Sequence, residues 1–206
     1  MACRGVPMSF QQFTFPQVQH DLGLTLHDAD LFASAPPFQV HEEFAAFLRD
    51  GVTLAVANST EKAKSEFIIA PVLLELRRSL GPRFFLFSGV EWEADASRGL
   101  NGYSDFILTK GESQYVLSAP FVAVVEAKND LIRTGLGQCI AAMYGAQLCN
   151  QKAGRPVERV YGVVSTGSAW KFLRLEGTSL TIDVPEYYID NLPKVMGILR
   201  QIVETA

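Results

Sequence analysis

Apolar positions recur with a helical period from about residue 61 to Leu80, directly before a Gly-Pro pair. The preceding residues 58–60 are all helix-capping types, which marks the start of this helix. Pro71 lies inside the pattern and lacks a backbone N–H, so we expect it to kink the helix about one turn earlier, near Phe67. The pattern therefore predicts a bent helix over residues 61–80.

Beyond Pro82 the pattern changes from helical to strand-like. Three runs rich in aromatic and β-branched residues follow, separated by turn residues: RFFLFSGVEWEA, YSDFILT and YVLSAPFVAVVEAK. Their spacing predicts an antiparallel meander. Residues 121–125 are apolar without exception, which is typical of a strand covered on both faces at the centre of a sheet. Helices are therefore expected on both sides of that sheet.

The remaining pattern predicts a helix over about residues 132–149, two strands in VERVYGVVST and AWKFLRLEG, and a closing helix in NLPKVMGILRQIVE. Small residues on the 132–149 helix would let it approach the sheet closely. The order is helix, three strands, helix, two strands, helix. It predicts an α/β (α+β) fold with a mixed central sheet flanked by helices.

Residues 1–58 show no sustained period, and we interpret them as an irregular extension packed on the core. One short helix is expected there, in VHEEFAAFLRDG, ending at Gly51. The main domain is then 59–206, within a single domain overall.

Composition and charge bear on the binding partners and the cellular compartment. The chain has 206 residues and is 48% hydrophobic, which argues against intrinsic disorder. Its formal net charge is −4, so no global positive field attracts nucleic acid. Cys3, Cys139 and Cys149 lack metal or redox spacing, which favours a reducing compartment. The apolar stretch 67–76 is short and interrupted, so we expect a cytoplasmic protein without a membrane span.

Glu126 and Lys128 end the most apolar strand, and a period of two places both side chains on one face. Charges at such a position are normally paired, bound to metal or exposed at an opening. Asp105 begins the neighbouring strand and can lie beside Glu126 if the register agrees. Adjacent carboxylates repel unless a cation lies between them, and Mg²⁺ prefers such oxygen ligands. The backbone carbonyl of Ala127 would be a further ligand.

Two more polar residues are candidates for the same site. Glu66 falls on the apolar stripe of the 61–80 helix and is expected to point inwards. Gln138, in the first turns of the next helix, is placed to project towards the edge that carries Glu126 and Lys128.

The ordered set of helix Glu, strand Asp, strand Glu-x-Lys and helix Gln resembles the PD-(D/E)XK nuclease superfamily. The matching residues are Glu66, Asp105, Glu126-Ala127-Lys128 and Gln138. The resemblance covers about residues 59–176, and VVSTGSAWKFLRL is similar to a strand pair in the amino-terminal nuclease domains of type I restriction motor subunits. It implies a restriction-endonuclease-like αβββαβ core. Ser104 stands where many members have Pro.

This resemblance implies Mg²⁺-dependent hydrolysis of phosphodiester bonds, with Mn²⁺ as a substitute and with DNA favoured over RNA as substrate. Asp105 and Glu126 would hold the cation, and Lys128 would orient or help deprotonate the attacking water. Glu66 would hold a metal-bound water or a second ion, while Gln138 would orient Lys128. A homodimer or a larger restriction or repair-like assembly is a possible context.

Other interpretations remain open at this level. The same scaffold could serve as a catalytically silent binding or regulatory module in a larger assembly, which the negative charge favours. An unrelated α+β protein could use these carboxylates for packing, with Glu126 and Lys128 as a simple ion pair. Lacking ligand spacing, the histidines are expected on the surface or in packing roles, and the tryptophans as core anchors: His20, His27, His41, Trp92 and Trp170.

Overall fold

One mixed eight-stranded sheet with helices on both faces forms the protein, in a computed structural model that describes residues 9–206. The strands are β1 (Thr25–Ala29), β2 (Phe85–Asp95), β3 (Leu100–Thr109), β4 (Phe121–Ala127), β5 (Val160–Ser165), β6 (Ala169–Glu176), β7 (Ser179–Asp183) and β8 (Tyr187–Tyr188). The α-helices are α1 (Gln17–Leu22), α2 (Glu42–Asn58), α3 (Glu61–Lys64), α4 (Ala70–Leu80), α5 (Ile132–Lys152) and α6 (Leu192–Thr205). The predicted α/β class with a mixed sheet is confirmed.

The sheet runs in the order β1-β7-β6-β5-β4-β3-β2, and β8 pairs with β6 off this path. β2, β3 and β4 pair antiparallel, which confirms the predicted meander. β4 and β5 pair parallel, so the chain crosses between them through α5. Every residue of β4 is buried, as expected for a central strand.

Helix α5 covers one face of the sheet, and α4 and α6 cover the other. Asn150 fixes α5 to the start of β4, because its amide side chain donates to the carbonyl of Phe121 at 2.8 Å and accepts from the N–H of Phe121 at 2.7 Å. Buried backbone groups at the strand end are thereby satisfied. The strand that carries the candidate residues is held at a defined position against α5.

The predicted 61–80 helix begins as expected, because Thr60 is its N-cap and its hydroxyl accepts from the N–H of Ala63 at 3.1 Å. The disturbance expected before Pro71 takes the form of a π-helical segment, Ser65–Ile69, between α3 and α4. A π turn contains an extra residue compared with an α turn. Side chains in this segment are therefore rotated from the positions that an α-helical period predicts.

The expectation of an irregular extension over residues 1–58 is wrong for its described part, residues 9–58. β1 pairs parallel with β7 at the edge of the sheet, and α2 runs on to Asn58 rather than ending at Gly51. Gly51 lies inside α2 because α2 packs closely on the π segment: a Cβ at this position would overlap the carbonyl oxygen of Phe67. Here glycine allows helix contact instead of marking a helix end.

Trp92 and Trp170 are buried core residues, and His20, His27 and His41 are exposed. β7 and β8 were not predicted, because β7 is short with polar residues at three of its five positions and β8 has only two residues. Cys139 and Cys149 are free thiols, whereas Cys3 lies outside the described residues. Within residues 9–206, no helix has the length and apolar character that crossing a membrane requires.

Candidate metal and catalytic site

Asp105 and Glu126 lie side by side, with Glu126 near the end of β4 and Asp105 in the middle of β3 rather than at its start, where it was predicted, because β3 already begins at Leu100. Their ladder pairs Phe106 with Val125, so the next residues along the two strands are Asp105 and Glu126. Beyond that pair the Asp105 side chain turns to the backbone of β4, where its Oδ2 accepts a hydrogen bond of 2.8 Å from the N–H of Ala127. Asp105 is near enough for its negative charge to act on the Glu126 carboxyl group.

Ser104, which precedes Asp105, has its own structural role. Its hydroxyl is buried and accepts a hydrogen bond of 3.0 Å from the indole N–H of Trp92. This bond satisfies the polar atom of a core tryptophan and holds the strand just before Asp105. A serine therefore serves at the position where many members of the resembled superfamily have proline.

Glu126 is the most unusual residue of the site. Its side chain is 0% exposed, and neither carboxyl oxygen has a hydrogen-bond donor among the described residues. Burial, followed by the negative charge of Asp105, raises the pKa of Glu126 well above the ordinary carboxyl range, although Lys128 opposes this shift. A buried carboxyl group without donors is costly, so an additional group or a proton is expected to satisfy it.

Lys128 lies on the same side of the strand and faces Glu126. Its Nζ is 4.0 Å from Oε2 of Glu126 and donates a hydrogen bond of 3.2 Å to Oε1 of Gln138. Only 15% of the Lys128 side chain is exposed, so the amine has a restricted position. The structure thus brings Asp105, Glu126, Lys128 and Gln138 together.

Gly135 explains how the Lys128 side chain is confined. A Cβ at this position of α5 would lie 2.9 Å from Cγ of Lys128 and 2.7 Å from Cγ1 of Val164. The absence of a side chain therefore leaves the channel along which Lys128 extends towards Glu126. Sequence reasoning missed this residue, because a glycine in a helix does not reveal which side chain crosses it.

Glu66 differs from its predicted position. It was expected to point inwards with the apolar stripe, but its side chain is 52% exposed and its Oε1 is 2.5 Å from Nζ of Lys62. The π-helical register of Ser65–Ile69 accounts for this rotation away from the core. Glu66 still borders the site, on its solvent side.

A cavity of about 290 Å³ opens next to the carboxylates. It is lined by Glu61, Lys62, Ser65, Glu66, Ser88, Gly89, Asp105 and Ala127. Glu61 was not among the sequence candidates, yet its charge is felt by Glu126. The sequence indicated only that Glu61 follows the Thr60 cap and so lies in the first helical turn beside Lys62.

Lys64 holds the segment that follows Lys128. Its Nζ donates a hydrogen bond to the carbonyl of Asn129 and lies 3.7 Å from Oδ1 of Asp130. The Lys64 side chain is 13% exposed, so this amine is largely buried between α3 and the loop. The loop between β4 and α5 is thereby fixed to the helix that borders the cavity.

The donor set fits a small hard cation. Mg²⁺ commonly binds one or two protein carboxylates and completes its shell with water and substrate oxygens, at roughly 2.0 to 2.1 Å. Glu126 offers two unpartnered oxygens, and Asp105 retains Oδ1 while Oδ2 bonds to Ala127. The carbonyl of Ala127 stays a predicted ligand. Within residues 9–206, no three or more His, Cys, Asp or Glu side chains cluster in a way that could hold a metal ion, so water and substrate would complete the shell.

Against known proteins, no family model, no curated protein and no solved structure matches this chain.

Proposed function

We propose that this protein is a Mg²⁺-dependent nuclease that hydrolyses phosphodiester bonds, with DNA favoured over RNA as its substrate. The observation that carries the proposal is the buried, donor-free carboxyl group of Glu126 beside Asp105, with Lys128 4.0 Å away. Packing alone gives no reason to bury an acid that lacks every donor. A cation site gives one.

The order of elements supports a restriction-endonuclease-like core. From Glu61 the chain forms a helix, the strands β2, β3 and β4, the helix α5 and the strand β5, in the αβββαβ order that the sequence resemblance implies. Asp105 lies on the second of these strands, the Glu-x-Lys pair on or just after the third, and Gln138 on the following helix. The contacts among these residues agree with that pattern.

The chemistry is divided among the protein's own residues. When bound, the cation would polarise the scissile phosphate and lower the pKa of an attacking water. Asp105 and Glu126 would hold it, and the N–H of Ala127 keeps Asp105 in position. Lys128, oriented by Gln138, places its amine where it can hold the attacking water or balance charge on the phosphate. Glu66, on the solvent side, would contact a bound water rather than the cation itself.

A silent nuclease-fold module for binding or regulation is the second candidate. It is favoured by the formal net charge of −4 and by the small donor set, in which Asp105 and Glu126 are the only carboxylates at the centre among residues 9–206. Such a module would keep metal affinity and lose cleavage. The third possibility, a structural carboxyl pair, predicts neither.

Cleavage assays with matched variants test the proposal. The purified chain is incubated with supercoiled plasmid, circular single-stranded DNA and RNA, in Mg²⁺, in Mn²⁺ or in EDTA. We expect metal-dependent cleavage that falls by roughly a hundredfold or more in Asp105→Asn, Glu126→Gln and Lys128→Ala. Glu91→Gln, which alters an exposed acid on β2, is the control for charge and should cleave at the wild-type rate.

Metal binding is measured on the same proteins by calorimetry. Binding that depends on Asp105 and Glu126, without cleavage of any substrate, would support the silent module. Absence of both metal binding and cleavage would leave only the structural carboxyl pair. Cleavage that survives in Glu126→Gln would contradict the assigned site.

A further inference from the structure

The cavity beside the carboxylates has two unlike walls. One wall is helical and carries Lys62 and Ser65, and the other is the edge strand β2, which carries Ser88 and Gly89. Lys62 is the only basic residue among the lining residues that the structure describes. The cavity volume of about 290 Å³ lies at the small end of ligand sites, so it has room for one short piece of a substrate strand.

Gly89 opens the wall of this cavity next to Asp105. The residues on either side of Gly89 pair in register with those on either side of Asp105, so the two lie opposite each other, although the ladder leaves this pair out. Gly89 has a φ of +61°, a conformation that glycine adopts readily and other residues rarely do. A Cβ at Gly89 would meet nothing within 4 Å, so the space beside it is open. Glycine in a strand often marks a place where a ligand approaches the backbone closely.

Lys62 is available to a substrate at little cost in stability. Its Nζ is 2.5 Å from Oε1 of Glu66, but the Lys62 side chain is 78% exposed and the Glu66 side chain is 52% exposed. Exposed ion pairs one helical turn apart contribute little to stability, because water screens both charges. A phosphate oxygen can therefore replace the Glu66 carboxylate as the partner of the Lys62 amine.

The acidic residues of the cavity make a basic partner necessary for any phosphate that enters. A phosphodiester there meets the carboxylates of Glu61, Glu66 and Asp105. Since like charges repel, a bound phosphate needs a cation nearby. A metal ion held by Asp105 and Glu126 would serve the scissile phosphate, and Lys62 is the protein's own cation at this opening.

We propose that Lys62 is a substrate-binding residue: its amine leaves Glu66 and binds a phosphate oxygen of a strand that runs through the cavity, between α3 and the edge strand β2. The hydroxyl groups of Ser65 and Ser88 are further donors to that phosphate or to its sugar. The exchange of partners frees Glu66 to hold a water on the bound cation. This inference rests on the proposed function, because it names how the same site holds its substrate.

Cleavage kinetics and binding of labelled DNA oligonucleotides, one single-stranded and one duplex, test the proposal. In Lys62→Met we expect KM to rise about three- to tenfold with kcat nearly unchanged, because the contact holds substrate and transition state equally. Binding is measured by fluorescence anisotropy in EDTA, which prevents cleavage. There the slope of log affinity against log salt concentration should fall by roughly 0.7 to 0.9, the value for one phosphate contact. Lys62→Arg keeps the charge and should retain most of the affinity.

Arg83→Met is the matched control, because Arg83 forms an exposed ion pair with Glu204 and does not line the cavity. It should bind and cleave like the wild type. Glu66→Gln should tighten binding when Lys62 is present but not in the Lys62→Met background, because the gain comes from releasing the Lys62 amine.

The outcomes separate this inference from the proposed function. Wild-type affinity and salt slope in Lys62→Met, or an equal loss in Arg83→Met, would overturn the role of Lys62, while cleavage that depends on Asp105 and Glu126 would still support the nuclease. Binding that depends on Lys62 without cleavage of any substrate would support the role of Lys62 and count against the nuclease. Absence of binding by the wild type to either oligonucleotide would overturn both.

Discussion

The backbone N–H of Ala127 donates a hydrogen bond of 2.8 Å to the carboxylate of Asp105. This bond connects Asp105 on β3 to the residue between Glu126 and Lys128. It keeps Asp105 beside Glu126 although their like charges repel when both are ionised. A proton on Glu126 or a cation bound between the two carboxylates can relieve this repulsion.

The raised pKa of Glu126 predicts how stability depends on pH in the absence of metal. Because the folded-state pKa lies above the ordinary value of 4.5, the folded protein binds more protons than the unfolded chain above that value. The contribution of Glu126 is thus fully present below about pH 4.5 and is lost as pH rises through the folded-state pKa. Glu126→Gln, which stays neutral, should be more stable than wild type at neutral pH in urea unfolding.

The control for this experiment is Glu91→Gln, which removes an exposed carboxylate from β2. Its free energy of unfolding should follow the wild-type pH curve within roughly 0.5 kcal/mol. Identical pH curves for the wild type and Glu126→Gln would show that Glu126 is not held in its neutral form by the fold.

Added metal should oppose the loss of stability that the metal-free protein shows as pH rises. Binding of Mg²⁺ or Mn²⁺ between Asp105 and Glu126 requires the loss of the Glu126 proton, so the apparent metal affinity should increase as pH rises and level off above the folded-state pKa. At a free metal concentration about 100 times the dissociation constant, the stabilisation is about 2.7 kcal/mol. For a chain of this size this corresponds to a rise in Tm of roughly 5–10 °C.

Scanning calorimetry with Mg²⁺, with Mn²⁺ and with a chelator measures this stabilisation. Asp105→Asn and Glu126→Gln should show no metal-dependent rise in Tm, and Glu91→Gln should show the wild-type rise. An equal rise in all proteins would locate the metal elsewhere on the chain.

The central sheet and its immediate helices were predictable because their sequence periods are strong. The meander β2–β3–β4 and the two-sided burial of β4 followed from alternating and continuous apolar runs. Asp105, Glu126 and Lys128 could be located because strand periodicity and antiparallel pairing determine which side chains share a face. Gln138 followed from its place at the start of the next helix.

Other features depend on contacts that a sequence period does not contain. The exposure of Glu66 results from the π-helical segment before Pro71, and a prolonged α-helical count places this residue incorrectly. β1 forms at the edge of the sheet because β7 is there to pair with it, 154 residues later in the chain. The role of Gly51 becomes visible only when α2 lies against the carbonyl of Phe67.

Gly135→Ala should disturb the position of Lys128 without altering the carboxylates. The added methyl group would lie 2.9 Å from Cγ of Lys128 and 2.7 Å from Val164, so one of them must move. We expect a loss of about 1–3 kcal/mol in the free energy of unfolding, as for other overpacked sites. Cleavage should fall by at least about tenfold, since small misplacements of a catalytic group are costly.

Gly145→Ala is the matched control, because it places a methyl group on the same helix α5, 3.2 Å from Trp92 and Phe10 rather than beside Lys128. It should lose stability while its cleavage rate stays near that of the wild type under conditions where both proteins are folded. Equal loss of cleavage in both variants would mean that the effect is general destabilisation.

Lys64 provides the last test, because it acts on the site only through the loop that follows Lys128. Its buried amine donates to the carbonyl of Asn129, and Lys64→Met removes this donor while keeping most of the side-chain volume. We expect cleavage to fall with little change in Mg²⁺ affinity, since Asp105 keeps its hydrogen bond to the N–H of Ala127 and Glu126 keeps its buried position on β4. Lys64→Arg can still donate to the loop and should recover part of the cleavage rate. Such a recovery would not be expected if the Lys64 side chain only filled space. Calorimetric metal titration and initial cleavage rates distinguish these outcomes, and a loss of Mg²⁺ affinity in Lys64→Met as large as in Glu126→Gln would show instead that Lys64 supports the metal-binding residues directly.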